Sequence, residues 1–162
     1  MSHPKQADLE ALLEALIEAE VEFIVVGGAA AVIHGAPITT LDLDVVYRRS
    51  AENIDRLQAL LVRLDARVRD PAGRELVPQR AHLEATGPLL LSTVHGPFDP
   101  MASLGDGRGY EELLASAVVI EGDLPLRVLD LETLIAVKAA ANRAKDRVML
   151  PVLIALLEER SR

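Results

Sequence analysis

The sequence predicts an α/β or α+β fold, and three observations lead there. Apolar residues switch along the chain between helical spacing and short continuous runs rich in Val, Ile and Leu, the patterns of amphipathic helices and buried strands. A glycine pair, Gly27-Gly28, stands where one such run ends and a helical pattern begins. An apolar run carrying two aspartates, Thr40-Leu41-Asp42-Leu43-Asp44-Val45-Val46, follows soon after. The N-terminal half therefore reads as β-α-β in character.

Taken in order, Leu9, Leu12, Leu13, Leu16 and Ile17 recur at helical spacing with glutamates between them, giving an amphipathic first helix. Phe23-Ile24-Val25-Val26 is a short buried strand ended by Gly27-Gly28, and Ala29 to His34 a short helix stopped at Gly35 and Pro37. The strand with the aspartates spans about 39–47. Ser50 is suited to cap a helix whose apolar face is Ile54, Leu57, Leu61 and Leu64. Residues 66–80 hold charges, Pro71, Gly73 and Pro78, and read as loop with short strand pieces. Ala81–Thr86 and Leu89–Val94 are expected to pair as strands across Gly87-Pro88, and a turn at His95-Gly96-Pro97 leads into Phe98-Asp99-Pro100-Met101. A Gly-rich loop covers 104–109. A short helix over Tyr110–Ala115, strands at Val118–Ile120 and Leu126–Leu129, and a helix capped by Asp130 and running to about Arg143 come next. In the final helix, Pro151 marks either a start or a kink.

With 162 residues, half of them hydrophobic, the chain is expected to form a single domain, 1–162, its core at about 22–130 and C-terminal helices at about 131–162. The absence of cysteine excludes disulfides and thiolate metal sites and is compatible with a cytoplasmic location. Glu10, Glu14 and Glu18 interrupt the first apolar stretch, so it is no signal peptide, and no apolar run reaches the roughly 18 residues of a membrane span. A net charge of −8 argues against a protein that coats nucleic acid, and two Phe, two Tyr and no Trp leave no stacking platform for bases. Docking of one RNA end on a local basic patch stays open.

Asp42 and Asp44 carry the chemistry. Alternation along a strand sends both carboxylates to one face, roughly 6–7 Å apart, with Leu41, Leu43 and Val45 on the other. Two ionised carboxylates so placed repel, and a divalent cation holds both charged; an oxygen donor set favours Mg²⁺ or Mn²⁺ over zinc. An edge strand showing a polar face to water is the alternative. Gly27-Gly28 lets backbone approach a ligand closely, but the surrounding residues match neither a dinucleotide fingerprint nor a Walker A loop.

Together, Val25-Val26-Gly27-Gly28 and Leu41-Asp42-Leu43-Asp44-Val45 resemble the two sequence motifs of the polymerase-beta type nucleotidyltransferase superfamily. Gly28-Ala29-Ala30-Ala31-Val32-Ile33-His34-Gly35 followed by Thr40-x-Asp42-x-Asp44 is similar to its bacterial toxin branch, related to the AbiEii proteins. So are Leu131 to Lys138 and Asn142-Arg143-Ala144-Lys145-Asp146. The resemblance implies a mixed β-sheet flanked by helices, with a helical C-terminus. It further implies Mg²⁺- or Mn²⁺-dependent transfer of an NMP from an NTP to an RNA end or a protein side chain, with pyrophosphate released. The biological setting it implies is a toxin–antitoxin or phage-defence system with a cognate partner protein. One departure is Ile38, where resembling proteins often carry a basic residue.

What the resemblance implies for individual residues is as follows. Asp42 and Asp44 ligate metal, and a third carboxylate from a later strand completes the site; Asp99 is the candidate and Glu84 its rival. Gly27, Gly28 and Thr40 contact the triphosphate, with Lys138 and Arg143 neutralising its charge. Lys138 also lies on the apolar stripe of Leu131, Leu134 and Ile135, so a packed stem with its head reaching water is the alternative. Arg143, Lys145 and Arg147 can serve phosphate or RNA, or complement a helix C-terminus. His34, His82 and His95 lack metal-ligand spacing. The rival functions are a catalytically degenerate module that binds a partner toxin or antitoxin, and plain RNA binding through residues 138–147.

Overall fold

In a computed structural model, which describes residues 2–162, the strands form one mixed seven-stranded sheet. They are β1 (Phe23–Val26), β2 (Leu43–Tyr47), β3 (Arg67–Val68), β4 (Leu91–Thr93), β5 (Gly96–Met101), β6 (Ala117–Ile120) and β7 (Leu126–Leu129). Their spatial order is β3-β4-β5-β2-β1-β7-β6, with β2/β5 and β1/β7 parallel and the other pairs antiparallel. Phe23, Ile24, Val25 and Val26 are all buried, as a strand covered on both faces requires.

The helices are α1 (Leu9–Glu18), α2 (Gly27–Ile33), α3 (Ala51–Arg63), α4 (Arg80–Glu84), α5 (Tyr110–Leu113), α6 (Leu131–Ala141) and α7 (Ala144–Arg160). Leu12, Leu13 and Leu16 of α1 enter the core, joined by Ile54, Leu57, Leu60 and Leu61 of α3. The expected caps form: Ser50 Oγ accepts from Asn53 N, and Asp130 Oδ1 accepts from Thr133 N at 2.7 Å. Buried Asn53 then ties α3 to the sheet, donating to the carbonyls of Glu22 and Arg48 and accepting from Glu22 N. Pro151 lies within α7, where it removes the donor to the Arg147 carbonyl.

Four differences from the sequence reading have physical causes. β1 and β2 are antiparallel neighbours, because α2 leaves directly from the end of β1 and the chain returns through 34–42 to land beside it. The second strand begins at Leu43, four residues later than its pattern suggests. Thr40 Oγ1 bonds the Asp42 carbonyl and the Leu41 carbonyl accepts from Ala7 N, so the segment before Leu43 forms no ladder, and Leu41 is 60% exposed. Residues 81–86 are no strand: Arg80–Glu84 is a helical turn in which His82 Nδ1 accepts from Gln79 N and only Leu83 is buried. The partner of β4 is instead β5, across His95. Finally, α6 stops at Ala141, with Asn142 left-handed at φ 49°.

Two tethers hold segments near the chain ends. Residues 6–8 form a strap across the segment before β2 and the β4–β5 turn, with Ala7 N donating to Leu41 O (2.7 Å) and Asp8 N to His95 O (2.9 Å). At the other end of the chain, buried His34 donates from Nε2 to Leu129 O (2.8 Å) and accepts at Nδ1 from Arg160 (3.0 Å), which locks α7 against α2 and β7 in one tautomer.

Candidate functional site

Register assembles the site. Asp44 sits opposite Val26, the last residue of β1, and beside Asp99 in the parallel neighbour β5. Asp42, two residues before Asp44, turns to the same side. One carboxylate oxygen from each of Asp42, Asp44 and Asp99 lies within 4.8 Å of the others. Asp99 is 4% exposed, while Asp42 and Asp44 are half-buried at the open side. Pro100 is accommodated inside β5 because Leu89 N donates to its carbonyl (3.0 Å); its nitrogen faces that same side, where β4 has already ended. Glu84, the rival third carboxylate, is exposed on α4 and bridges to Arg80, away from the cluster.

The glycine pair is explained by contact with these residues. Gly27 has φ +65°, and a Cβ there would overlap Asp44 Oδ2. A Cβ on Gly28 would come 2.8 Å from Thr40 Oγ1. Gly27, Gly28, Thr40 and Asp44 therefore form one continuous surface in which backbone lies bare beside carboxylate.

Electrostatically, the cluster is short of positive charge. Burial, then the charges of Asp42 and Asp99, push the Asp44 carboxyl up to about 7. Burial also raises Asp99, opposed by Arg69. Arg69, just past β3, reaches across β4 and grips Asp99 with both nitrogens, Nη1 to Oδ1 at 2.7 Å and Nη2 to Oδ2 at 3.2 Å. The Lys145 ammonium lowers Asp44 through its charge, so this side chain projects its field into the cluster.

Lys138 and Arg143 are engaged elsewhere. Lys138 is buried on α6 as its stripe suggests, and its Nζ lies 3.7 Å from Asp146 Oδ1. Arg143 Nε donates to Asp146 Oδ2 at 2.7 Å, and Asp146 is itself fully buried. These two cations thus converge on an aspartate that joins α6 to α7, next to Lys145. Ile38 packs, partly buried, against the core. Arg69 escaped the sequence reading because it lies in a charged, loop-like stretch, thirty residues from its partner.

This arrangement can be set beside known structures. The lincosamide antibiotic adenylyltransferase LnuA, lincomycin-bound, superposes with a TM-score of 0.64 at 10% identity, over 94% of this chain and 99% of that one. The chain has the nucleotidyltransferase fold. The same nucleotidyltransferase fold aligns with ANT(2″)-Ia in complex with adenylyl-2″-tobramycin (TM-score 0.57, 17% identity, 92% of this chain and 87% of that one). It aligns too with an antigenic nucleotidyltransferase-like protein from Paracoccidioides brasiliensis (TM-score 0.58, 15% identity, 94% and 78%). No protein-family model matches the chain, and no curated protein matches it by sequence. Among the described residues no helix is long and apolar enough to cross a membrane.

Proposed function

We propose that this protein is a metal-dependent nucleotidyltransferase that moves an NMP from an NTP to an acceptor and releases pyrophosphate. The observation that carries the reading is the meeting of Asp42, Asp44 and Asp99 beside the bare backbone of Gly27, within a nucleotidyltransferase fold. The residues fit a hard divalent cation: the donors are all carboxylate oxygens, they converge, and Asp44 is pushed up by burial and by the neighbouring carboxylates. Asp42 and Asp44 would hold Mg²⁺ or Mn²⁺, with the Asp99 carboxylate beside them. Bound there, the metal would supply charge compensation for the triphosphate.

The chain's own groups divide the remaining work. Gly27 and Gly28 admit the triphosphate to the backbone, and the Thr40 hydroxyl beside Gly28 orients it. Asp99 accepts the acceptor's proton as its oxygen attacks the α-phosphorus in line. Lys145, whose charge already reaches Asp44, offsets the charge of the leaving pyrophosphate. Lys138 and Arg143 contribute by swinging from Asp146, or through it by fixing Lys145.

The acceptor is an RNA end or a protein side chain. The resemblance of residues 28–44 and 131–146 to the AbiEii-like branch supports a toxin-like role in a bacterial toxin–antitoxin or phage-defence system, working in the cytoplasm with a cognate partner. One observation favours a second reading, a degenerate partner-binding module: Arg69 already occupies both oxygens of Asp99.

Transfer of α-³²P label from each of the four NTPs, with Mg²⁺ or Mn²⁺, onto total RNA and lysate protein decides between them. Lincomycin and tobramycin belong in the acceptor set, since the similar structures hold lincomycin and adenylylated tobramycin. Label that appears with the wild type and is absent from Asp42→Ala/Asp44→Ala supports the enzyme and identifies the acceptor class. No label and no metal-dependent NTP binding favours the module.

A further inference from the structure

Three carboxylates meet at this site, and one of them already has a cation. Asp99 is nearly sealed from solvent, yet both its oxygens receive a donor from the same guanidinium. The Arg69 Nη1 also donates to the Leu91 carbonyl at 2.7 Å, so β4 fixes the side chain along its path. Its backbone is held as well, with Arg69 N donating to Leu90 O at 2.8 Å. A side chain anchored to β4 by both backbone and side-chain bonds is a built part of the site, not a surface arginine that happens to reach it. The planar fork matches a carboxylate in two parallel bonds, which an ammonium cannot do.

Charge balance gives the pairing its meaning. Three ionised aspartates carry three negative charges; one divalent cation and one guanidinium neutralise them fully. Two divalent cations beside Arg69 would leave the cluster with net positive charge before any nucleotide arrives. The charges of Asp42 and Asp44 act on Arg69 along with that of Asp99, so the guanidinium answers to the whole cluster.

We infer that Arg69 is the second cation of this site: by holding both oxygens of Asp99 it takes the place of an acceptor-side metal and limits the protein to one tightly bound divalent ion, on Asp42 and Asp44. Arg69 is thus a positioning residue, which fixes the Asp99 carboxylate at the site without a metal between it and the acceptor hydroxyl. The inference rests on the metal-dependent reading above and deepens it.

Mn²⁺ titration of the intact protein, with free and bound ion counted by electron paramagnetic resonance, tests it without reference to activity. Wild type is expected to bind one Mn²⁺ tightly, with the spectrum of an isolated ion. Arg69→Gln, which is polar but loses the charge and the fork, is expected to bind two, with the broadening of a spin-coupled pair. Should Arg69→Gln fold poorly, Asp99→Asn in the otherwise native chain serves instead. It should weaken the single Mn²⁺ less than tenfold, whereas Asp44→Asn weakens it at least a hundredfold. Two tight ions in the wild type, one ion in folded Arg69→Gln, or loss of the ion in Asp99→Asn would each overturn the inference while leaving the metal site standing. No Mn²⁺ binding by the wild type overturns the metal reading and this inference with it.

Discussion

Asp44 stores a pH dependence that can be read out directly. Its carboxyl is raised from 3.8 to about 7, first by burial and then by Asp42 and Asp99. Between those values the unfolded chain has given up a proton that the folded chain retains. The stability present below about pH 4 is therefore lost as pH rises to 7, and nothing more is lost above it. Urea unfolding in the presence of a chelator is expected to show wild type losing roughly 2–3 kcal/mol more than Asp44→Asn between pH 5 and pH 8. Equal slopes for the two proteins would mean that Asp44 ionises as freely in the fold as in water. At pH 8, Mg²⁺ or Mn²⁺ should raise the wild-type Tm and leave that of Asp44→Asn unchanged. Gly27→Ala tests the other half of the same contact. The new methyl group meets Asp44 Oδ2 at a left-handed φ of +65°, so a cost of about 1–3 kcal/mol is expected, together with loss of nucleotide transfer. A wild-type Tm in that variant would show that the backbone can move away from the carboxylate.

At the scale of elements, α6 and α7 are joined by charge. Asp146 is fully buried between Lys138 and Arg143, and burial, partly offset by Asp146, lowers the Lys138 ammonium. Asp146→Asn would leave Lys138 buried beside a neutral amide. A fall in Tm of roughly 5 °C or more is expected, with the Mn²⁺ count unchanged because the carboxylate cluster lies on the sheet. Lys138 was legible as a buried position from its spacing to Leu131 and Leu134, but its partner was not, since nothing in a stripe of apolar residues says which carboxylate will face it. The same contrast runs through the fold. Caps at Ser50 and Asp130, the strand Phe23–Val26 and the glycine turn were readable because their causes are local. The pairing of β4 differs from that reading, since Ala81–Thr86 is apolar enough for a strand, yet backbone bonds from Ala85 N to Ala81 O and from His82 N to Gln79 O close it into a helical turn with only Leu83 buried. Asp99 was legible as a carboxylate flanked by apolar residues, whereas Arg69 depends on the sheet laying β3, β4 and β5 side by side.

For the whole molecule, β1 takes one neighbour, β2, from nearby sequence and the other, β7, from a hundred residues on. Val25 pairs with Val128 on one side and Val45 on the other, and Asp44 gains Asp99 only when β5 docks in parallel. Sheet closure between distant segments must therefore precede assembly of the site. Contacts this remote are expected to hold refolding to about 1–100 s⁻¹ after urea dilution, a rate that stopped-flow fluorescence of the two tyrosines can follow. Submillisecond recovery would mean that helices, not the sheet, set the pace. The strap of residues 6–8 extends this dependence to a stretch of chain far from any motif. It binds the Leu41 carbonyl one residue before Asp42, so it acts as a splint for a loop that has no ladder of its own. Amide hydrogens of Ala7 and Asp8 should exchange with deuterium as slowly as those of neighbouring strands. Clipping the chain after Asp8 with a protease would then free one carboxylate while β2 keeps the other, turning a rigid two-point grip on the cation into a hinged one.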